Sequence, residues 1–156
     1  MHERVLARLA DLDLELPPPL GQPRSRMRRM QRHERLLYLS GNGPFHGREL
    51  VHRGKVGADL TLEQGIAAAR LTALNLIRVL HDEGVDLDAI TWVKVLGMVN
   101  SDPSFVDQPQ VVNGFSELIA DVFGPDRGLP ARSACGMASM PWDMAVEIEA
   151  IVAVDE

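Results

Sequence analysis

The segment that most constrains the fold runs from Thr61 to Gly84 and reads "TLEQGIAAARLTALNLIRVLHDEG". Thr61 and Gln64 have the spacing of a helix capping box, and Gly84 supplies the left-handed residue that ends many helices. Apolar residues recur between them at the spacing of one helical face: Leu62, Ile66, Ala69, Ala73, Leu76, Ile77 and Leu80. A helix of this length with one apolar face must pack against a second layer.

Segments rich in β-branched and apolar residues provide that layer. The segment "TWVKVLGMV" (91–99) is almost wholly apolar, which predicts a central strand. Two strands are predicted earlier, at "RLLYLSG" (35–41) and, with weaker alternation, at "ELVHRGKV" (49–56). Two more are predicted at the C-terminal end, over 131–137 and from 146 onward, joined at "MPWDM".

Two further helices are predicted. One spans about Gln108 to Phe123, with Pro109 in its first turn and Gly124 as its terminator. The other is a short amphipathic helix within residues 1–16 that "PPP" brings to an end. We therefore divide the chain into an N-terminal helical appendage with a proline linker (1–20) and one domain (21–156).

The order of elements after the appendage, β-β-α-β-α-β-β, predicts an α+β domain. One mixed sheet of five or six strands would carry two helices on one face only. A partly apolar sheet face without helices is usually buried against another copy of the chain. The pattern therefore predicts a homo-oligomer.

Composition excludes several classes of protein. The chain has 156 residues, about one domain, with a net charge of −6 and a single cysteine, Cys135. One cysteine excludes an internal disulfide and a multi-cysteine metal site. The histidines have no metal-ligand spacing, so neither a metal nor another cofactor is predicted: His2, His33, His46, His52 and His81.

Net charge and the length of apolar runs indicate which partners and which location to expect. The negative net charge gives the whole molecule no electrostatic reason to bind nucleic acid or an anionic membrane. No apolar run reaches the roughly 18 residues that span a bilayer, and the charged N-terminus "MHERVLARLADLDLEL" does not resemble a secretory signal. We expect a cytoplasmic protein.

One stretch departs from this acidic balance, because six arginines fall between Arg24 and Arg35 in "RSRMRRMQRHER". They could bind RNA or an anionic ligand, or they could form a solvated hairpin that pairs with the chain's own carboxylates. No aromatic residue is interleaved for base stacking, which favours the hairpin.

Three charges stand in the two C-terminal strands. Period-two alternation groups Arg132 with Ala134 and Gly136, and separates Glu147 and Glu149 from an apolar set that should face the helices. We expect Arg132, Glu147 and Glu149 on the helix-free face, with Cys135 as a small core residue. There they would form an Arg–Glu salt bridge between subunits or bind a ligand, and the residues alone leave both open.

The C-terminal third, "VNGFSELIADVFGPDRGLPARSACGMASMPWDMAVEIEAI", resembles the Rid (YjgF-type) family of reactive-intermediate deaminases, as a divergent branch. "LYLSGN" and "TWVKVLGMV" are similar to two further strands of that family. The resemblance implies a chorismate-mutase-like fold and a homotrimer, in which three sheets form a barrel with ligand clefts between subunits. It also implies hydrolysis of enamines and imines such as 2-aminoacrylate to 2-keto acids and ammonia.

The resemblance also implies roles for individual residues. Arg132 falls on the arginine that binds the substrate carboxylate, and Glu147 on the carboxylate that positions or protonates the attacking water. The remaining positions are implied to contribute to substrate binding: Ala134 through its backbone carbonyl, Asn113 beside the site, and Ser40 and Gly41 in the cleft wall. The family's cleft-closing G-P-Y has no clear counterpart, since "GQPRSRMRRM" stands near its place.

Two other functions remain open. A trimer that binds a small carboxylate without catalysis would keep Arg132 but lack a productively placed water. An endoribonuclease would give the arginine-rich stretch a role, but the scattered histidines do not provide the acid–base pair of a metal-free ribonuclease.

Overall fold

The computed structural model describes residues 3–23 and 25–155. Its helices and strands, in chain order, are α1 (Glu3–Asp11), β1 (Met30–His33), β2 (Leu36–Asn42), β3 (Phe45–His46), β4 (Glu49–Leu50), α2 (Leu62–Asp82), β5 (Ile90–Asn100), α3 (Gln108–Phe123), β6 (Ala131–Met137) and β7 (Val146–Val154). Arg24, counted above in the arginine-rich stretch, and His2 lie outside the described residues.

Five strands form one sheet in the order β1-β2-β7-β5-β6. The β5–β6 pair is parallel and the other three pairs are antiparallel, so the sheet is mixed as predicted. Helices α2 and α3 pack against each other and against the sheet. The buried positions of β7 face them and the intervening positions do not. The α+β class is confirmed.

The ends of the two long helices follow their sequence signals. The Thr61 side chain accepts a hydrogen bond from the Gln64 amide at 3.2 Å, and the Gln64 side chain accepts one from the Thr61 amide at 2.8 Å. Gly84, just after α2, has a φ of 73°, a conformation that glycine adopts without strain. Pro109 occupies the first turn of α3.

The predicted strand over 49–56 is wrong beyond its first two residues. Only Glu49–Leu50 is a strand, and it pairs with β3 in a separate two-stranded ladder. The fifth strand of the main sheet is instead β1, which forms a hairpin with β2. Most of β1 is exposed and polar, so it carries no apolar alternation and its strand conformation comes from pairing.

The N-terminal helix contributes to the core. It ends at Asp11, so the expectation that the prolines at 17–19 end this helix is wrong. Asp13, two residues after the helix, has a φ of 55°. Val5 and Leu9 are 1% and 2% exposed and belong to the main hydrophobic core. Among the described residues no helix is both long and apolar enough to cross a membrane.

The sheet face away from the helices is half-exposed and partly apolar. At its centre Ile151 of β7 lies opposite Tyr38 of β2 and Lys94 of β5. Leu96 lies opposite Glu149 and Met98 opposite Glu147 on the same face. We call this set the helix-free face: Tyr38, Lys94, Leu96, Met98, Glu147, Glu149 and Ile151.

Candidate functional site

Glu147 lies in an open cleft of about 190 Å³ at the end of the sheet. Four parts of the chain build its walls: residues within 20–23 and 25–29, the end of β2, the β3–β4 hairpin and the turn before β7. The lining residues include Leu20, Met27, Arg29, Gly41, Phe45, Trp142, Met144 and Glu147. Residues of the segment "GQPRSRMRRM" thus form part of this cleft.

Gly41 leaves the space that the Glu147 carboxyl occupies. The β2–β7 register shifts between Leu39 and Asn42, so the chain bulges at this point. A Cβ added at Gly41 would lie 2.1 Å from Glu147 Oε1. Only glycine therefore allows the carboxyl to rest against the backbone of β2.

Ser40 connects β2 to the arginine-rich stretch. Its backbone amide donates to the carbonyl of Arg29 at 2.9 Å, and its hydroxyl donates to the carbonyl of Arg28 at 2.7 Å. These bonds hold the backbone that carries Arg29 into the cleft wall.

The Glu147 carboxyl has the electrostatics of an acid–base group. Burial raises its pKa above the ordinary 4.5, and the nearby negative charge of Glu149 raises it further. A carboxyl whose pKa moves toward neutrality exchanges protons more readily near physiological pH.

A second group of polar side chains surrounds Arg132. Its Nη1 donates to Asn113 Oδ1 at 2.8 Å and to Ser116 Oγ at 3.0 Å, and its Nη2 lies 3.5 Å from the carbonyl of Pro109. Asn113 and Ser116 are three residues apart on α3, so both face the same side of the helix. Ala134 follows on the same side of β6 and packs partly against the core.

The expectation that Arg132 shares a face with Glu147 and Glu149 is wrong. Arg132 pairs with Val95, which is fully buried on the helix side, whereas Glu147 pairs with Met98 on the helix-free face. The reason is that β6 is an edge strand only partly covered by α3. Its helix-side residues can therefore be charged, because a long side chain reaches polar partners at the rim of the core.

The assignment of Cys135 to the core is wrong for the same reason. Cys135 pairs with Met98 on the helix-free face and is exposed in the single chain. Strand β6 faces the opposite way from the predicted orientation, so each of its side chains lies on the opposite side of the sheet from the one expected.

The structure thus separates the sequence-predicted residues into two groups. Gly41 and Glu147 line the cleft, and Ser40 lies next to Gly41 and bonds to the backbone of Arg28 and Arg29. Asn113, Arg132 and Ala134 lie together at the β6 edge. Sequence reasoning missed Ser116, whose signal was its spacing of three from Asn113. It also missed Trp142, which lines the cleft and whose signal was an aromatic residue in the predicted "MPWDM" turn.

The site offers no metal centre within residues 3–23 and 25–155. No three histidine, cysteine, aspartate or glutamate side chains gather there in a way that could hold a metal ion.

The fold is that of chorismate-mutase-like α+β proteins, and comparisons assign the family. Residues 8–149 match the family described as "YjgF/chorismate mutase-like, putative endoribonuclease", and the chain belongs to that family, which confirms the resemblance. Protein TCP17 of Trypanosoma cruzi is 42% identical over 117 residues, which cover 74% of this chain and 73% of that protein.

Two solved structures are similar over nearly the whole chain. The crystal structure of Atu1372 from Agrobacterium tumefaciens, a protein of unknown function, has a TM-score of 0.89 at 36% identity, covering 99% of this chain and 94% of that one. A structure from Shewanella oneidensis, titled "putative endoribonuclease", has a TM-score of 0.90 at 26% identity, covering 96% and 99%.

Proposed function

We propose that the protein hydrolyses reactive 2-imino acids and their enamine tautomers to 2-keto acids and ammonia, in a homotrimer whose active sites lie between subunits. One observation carries the proposal. A guanidinium held by Asn113 and Ser116 lies on the helix side of an edge strand, while a carboxyl with a raised pKa lies on the helix-free face and lines a cleft.

These two groups are complementary halves of one site. A planar guanidinium suits a substrate carboxylate, because two parallel charge-assisted hydrogen bonds can form between them. A half-buried glutamate suits proton transfer to and from water. Because they lie on opposite sides of one sheet, they act together only when Arg132 of one copy meets the Glu147 cleft of the next.

The partly apolar helix-free face supports the trimer. Tyr38, Leu96, Met98 and Ile151 would be removed from water if three copies packed these faces together around an axis. The edge strand β6 would then lie at the border between copies.

The proposed reaction uses these groups in sequence. With the substrate carboxylate bound to Arg132, a water oxygen attacks the imine carbon while the Glu147 carboxylate accepts a water proton. The imine reacts in its N-protonated iminium form, so the addition gives a neutral tetrahedral carbinolamine. Glu147 then returns its proton to the amine, and the nitrogen leaves as ammonia while the carbinolamine hydroxyl proton passes to the Glu147 carboxylate. The C–N bond breaks, the C=O bond forms, and the products are a 2-keto acid and ammonia.

The proposal is tested with imines generated in situ from a panel of amino acids by an amino-acid oxidase. Ammonia release is followed with the wild-type protein, with Glu147→Gln and with Arg132→Ala. Glu147→Gln should retain affinity for 2-keto acids in calorimetric titration and lose turnover by on the order of 10²-fold or more. Arg132→Ala should lose both affinity for 2-keto acids and turnover. Arg132→Lys should restore little of either, because an ammonium cannot form two parallel hydrogen bonds with a carboxylate.

Arg70→Ala, on α2, is the matched control and should change neither affinity nor turnover, because Arg70 neither lines the cleft nor bonds to Arg132. If the wild type accelerates no imine yet binds 2-keto acids through Arg132, the protein is a carboxylate-binding trimer without catalysis. If Arg132→Ala stays trimeric with unchanged affinity, the assignment of Arg132 is wrong.

An endoribonuclease activity has less support from the site. The described residues that line the cleft include no histidine. The one carboxyl there lacks the second acid–base group that metal-free ribonuclease chemistry uses.

A further inference from the structure

The turn before β7 is strained and holds an aromatic side chain at the cleft. Trp142 and Asp143 have φ values of 54° and 60°, in the left-handed region that non-glycine residues rarely adopt. Two such residues in succession cost free energy and persist only where the surrounding structure imposes them.

A network of hydrogen bonds imposes that conformation. Asn100, fully buried, donates from Nδ2 to Asp143 Oδ1 at 2.9 Å. Lys55 Nζ in turn donates to Asn100 Oδ1 at 2.8 Å. The backbone of the turn is held as well, since the Gly54 amide donates to the Asp143 carbonyl at 2.7 Å and Arg53 Nη1 donates to the Trp142 carbonyl at 2.8 Å.

The consequence is an aromatic wall on the cleft. The Trp142 indole is 54% exposed and packs edge-to-face on Phe45, with ring centres 6.4 Å apart. Met27 and Met144 line the same cleft, which Glu147 also borders. Methionines adapt to flat apolar groups, and an exposed indole gains free energy when such a group covers it.

We propose that Trp142, Phe45, Met27 and Met144 form a side-chain subsite, and that the preferred substrates are 2-imino acids with a bulky apolar, above all aromatic, side chain. This inference rests on the proposed function, because it places the reacting carbon at Glu147. A space of about 190 Å³ is sufficient for a benzene-sized group, since apolar cavities of roughly 150 Å³ bind benzene. Small imines such as those of alanine would leave the aromatic wall uncovered.

The test compares kcat/KM for imines generated from phenylalanine and from alanine. The wild type should favour the phenylalanine imine, and Trp142→Ala should lower the phenylalanine-to-alanine ratio by about tenfold or more, the effect of losing apolar burial of a ring. Trp142→Phe should recover part of that ratio. Leu6→Ala, an exposed apolar residue on α1, should keep the wild-type ratio.

A binding measurement separates this inference from the proposed function. Phenylpyruvate should bind the wild-type protein more tightly than pyruvate in calorimetric titration, and Trp142→Ala should remove that preference. If no imine is hydrolysed but this preference holds, the proposed function fails and the subsite stands. An equal effect of Trp142→Ala on both substrates, or dissociation of the oligomer with an unchanged ratio, would overturn the subsite.

Discussion

At the scale of single residues, the proposed reaction depends on how neighbouring groups shift the pKa of Glu147. Its carboxyl is half-buried, and the charge of Glu149, two residues along β7 on the same face, opposes ionisation. A base acts only when it is deprotonated. The acidic limb of the pH profile should therefore lie above the ordinary glutamate value of 4.5.

Glu149→Gln should move that limb to lower pH. Removing the Glu149 charge lowers the Glu147 pKa, so the carboxylate persists into more acidic solution. The measurement is kcat/KM against pH for one imine substrate. Glu63→Gln, on the first turn of α2, is the control and should leave the limb in place; a limb that does not move in Glu149→Gln would exclude Glu147 as the titrating group.

Ser116→Ala should weaken carboxylate binding without abolishing it. The hydroxyl accepts one of the hydrogen bonds from Arg132 Nη1, and Asn113 accepts another. Loss of one charge-assisted bond at a partly exposed site corresponds to a roughly threefold to tenfold weaker affinity for 2-keto acids. Titration calorimetry measures this effect, and Ser116→Thr, which keeps the hydroxyl, should restore affinity.

The pH profile of Ser116→Ala distinguishes a role of Ser116 in positioning Arg132 from general damage to the active site. Ser116 does not contact Glu147, so Ser116→Ala should leave the acidic limb unchanged while KM rises. A lower kcat with unchanged KM would contradict a positioning role through Arg132.

At the scale of elements, the bulge in β2 links backbone geometry to the carboxyl. Gly41→Ala should reduce turnover with little loss of stability. The added Cβ meets the far end of a flexible side chain, Glu147 Oε1 at 2.1 Å, which can move away at low cost. The carboxyl would then leave its position beside β2. Turnover and the midpoint of urea unfolding are the two measurements.

Gly128→Ala provides the opposite case. Its Cβ would meet backbone, the carbonyl oxygen of Ile119 at 2.6 Å, so the free energy of unfolding should fall. Turnover per folded molecule should change less than in Gly41→Ala. Equal losses of stability in the two variants would refute the account of the β2 bulge.

At the scale of the whole molecule, activity and assembly should be inseparable. The wild-type protein should sediment at about three times the 17.2 kDa mass of the chain. Ile151→Asp places a charge at the centre of the helix-free face, where burial between copies would cost several kcal/mol. We expect this variant to sediment as a monomer and to lose imine hydrolysis.

Val106→Asp is the control, because Val106 is 76% exposed in the loop before α3. That variant should stay trimeric. A wild-type protein that is monomeric at micromolar concentration would contradict both the trimer and the shared active site.

Local patterns in the sequence determined the two long helices α2 and α3, their ends and the two C-terminal strands. The capping box at Thr61, the glycine after α2 and the period-two alternation of β7 act over a few residues, so they can be recognised without the rest of the chain. The apolar side of β7 was predicted correctly, because a strand between two neighbours has one face that must be apolar.

Only the tertiary structure decided which way β6 faces, that β1 completes the sheet and that the segment before Arg29 meets Glu147. An edge strand such as β6 has no fully buried side, so its alternation fits either orientation until pairing with Val95 selects one. Strand β1 is polar and acquires its conformation from β2. The cleft joins residues more than a hundred positions apart, and long-range contacts of this kind leave no periodic signal in the sequence.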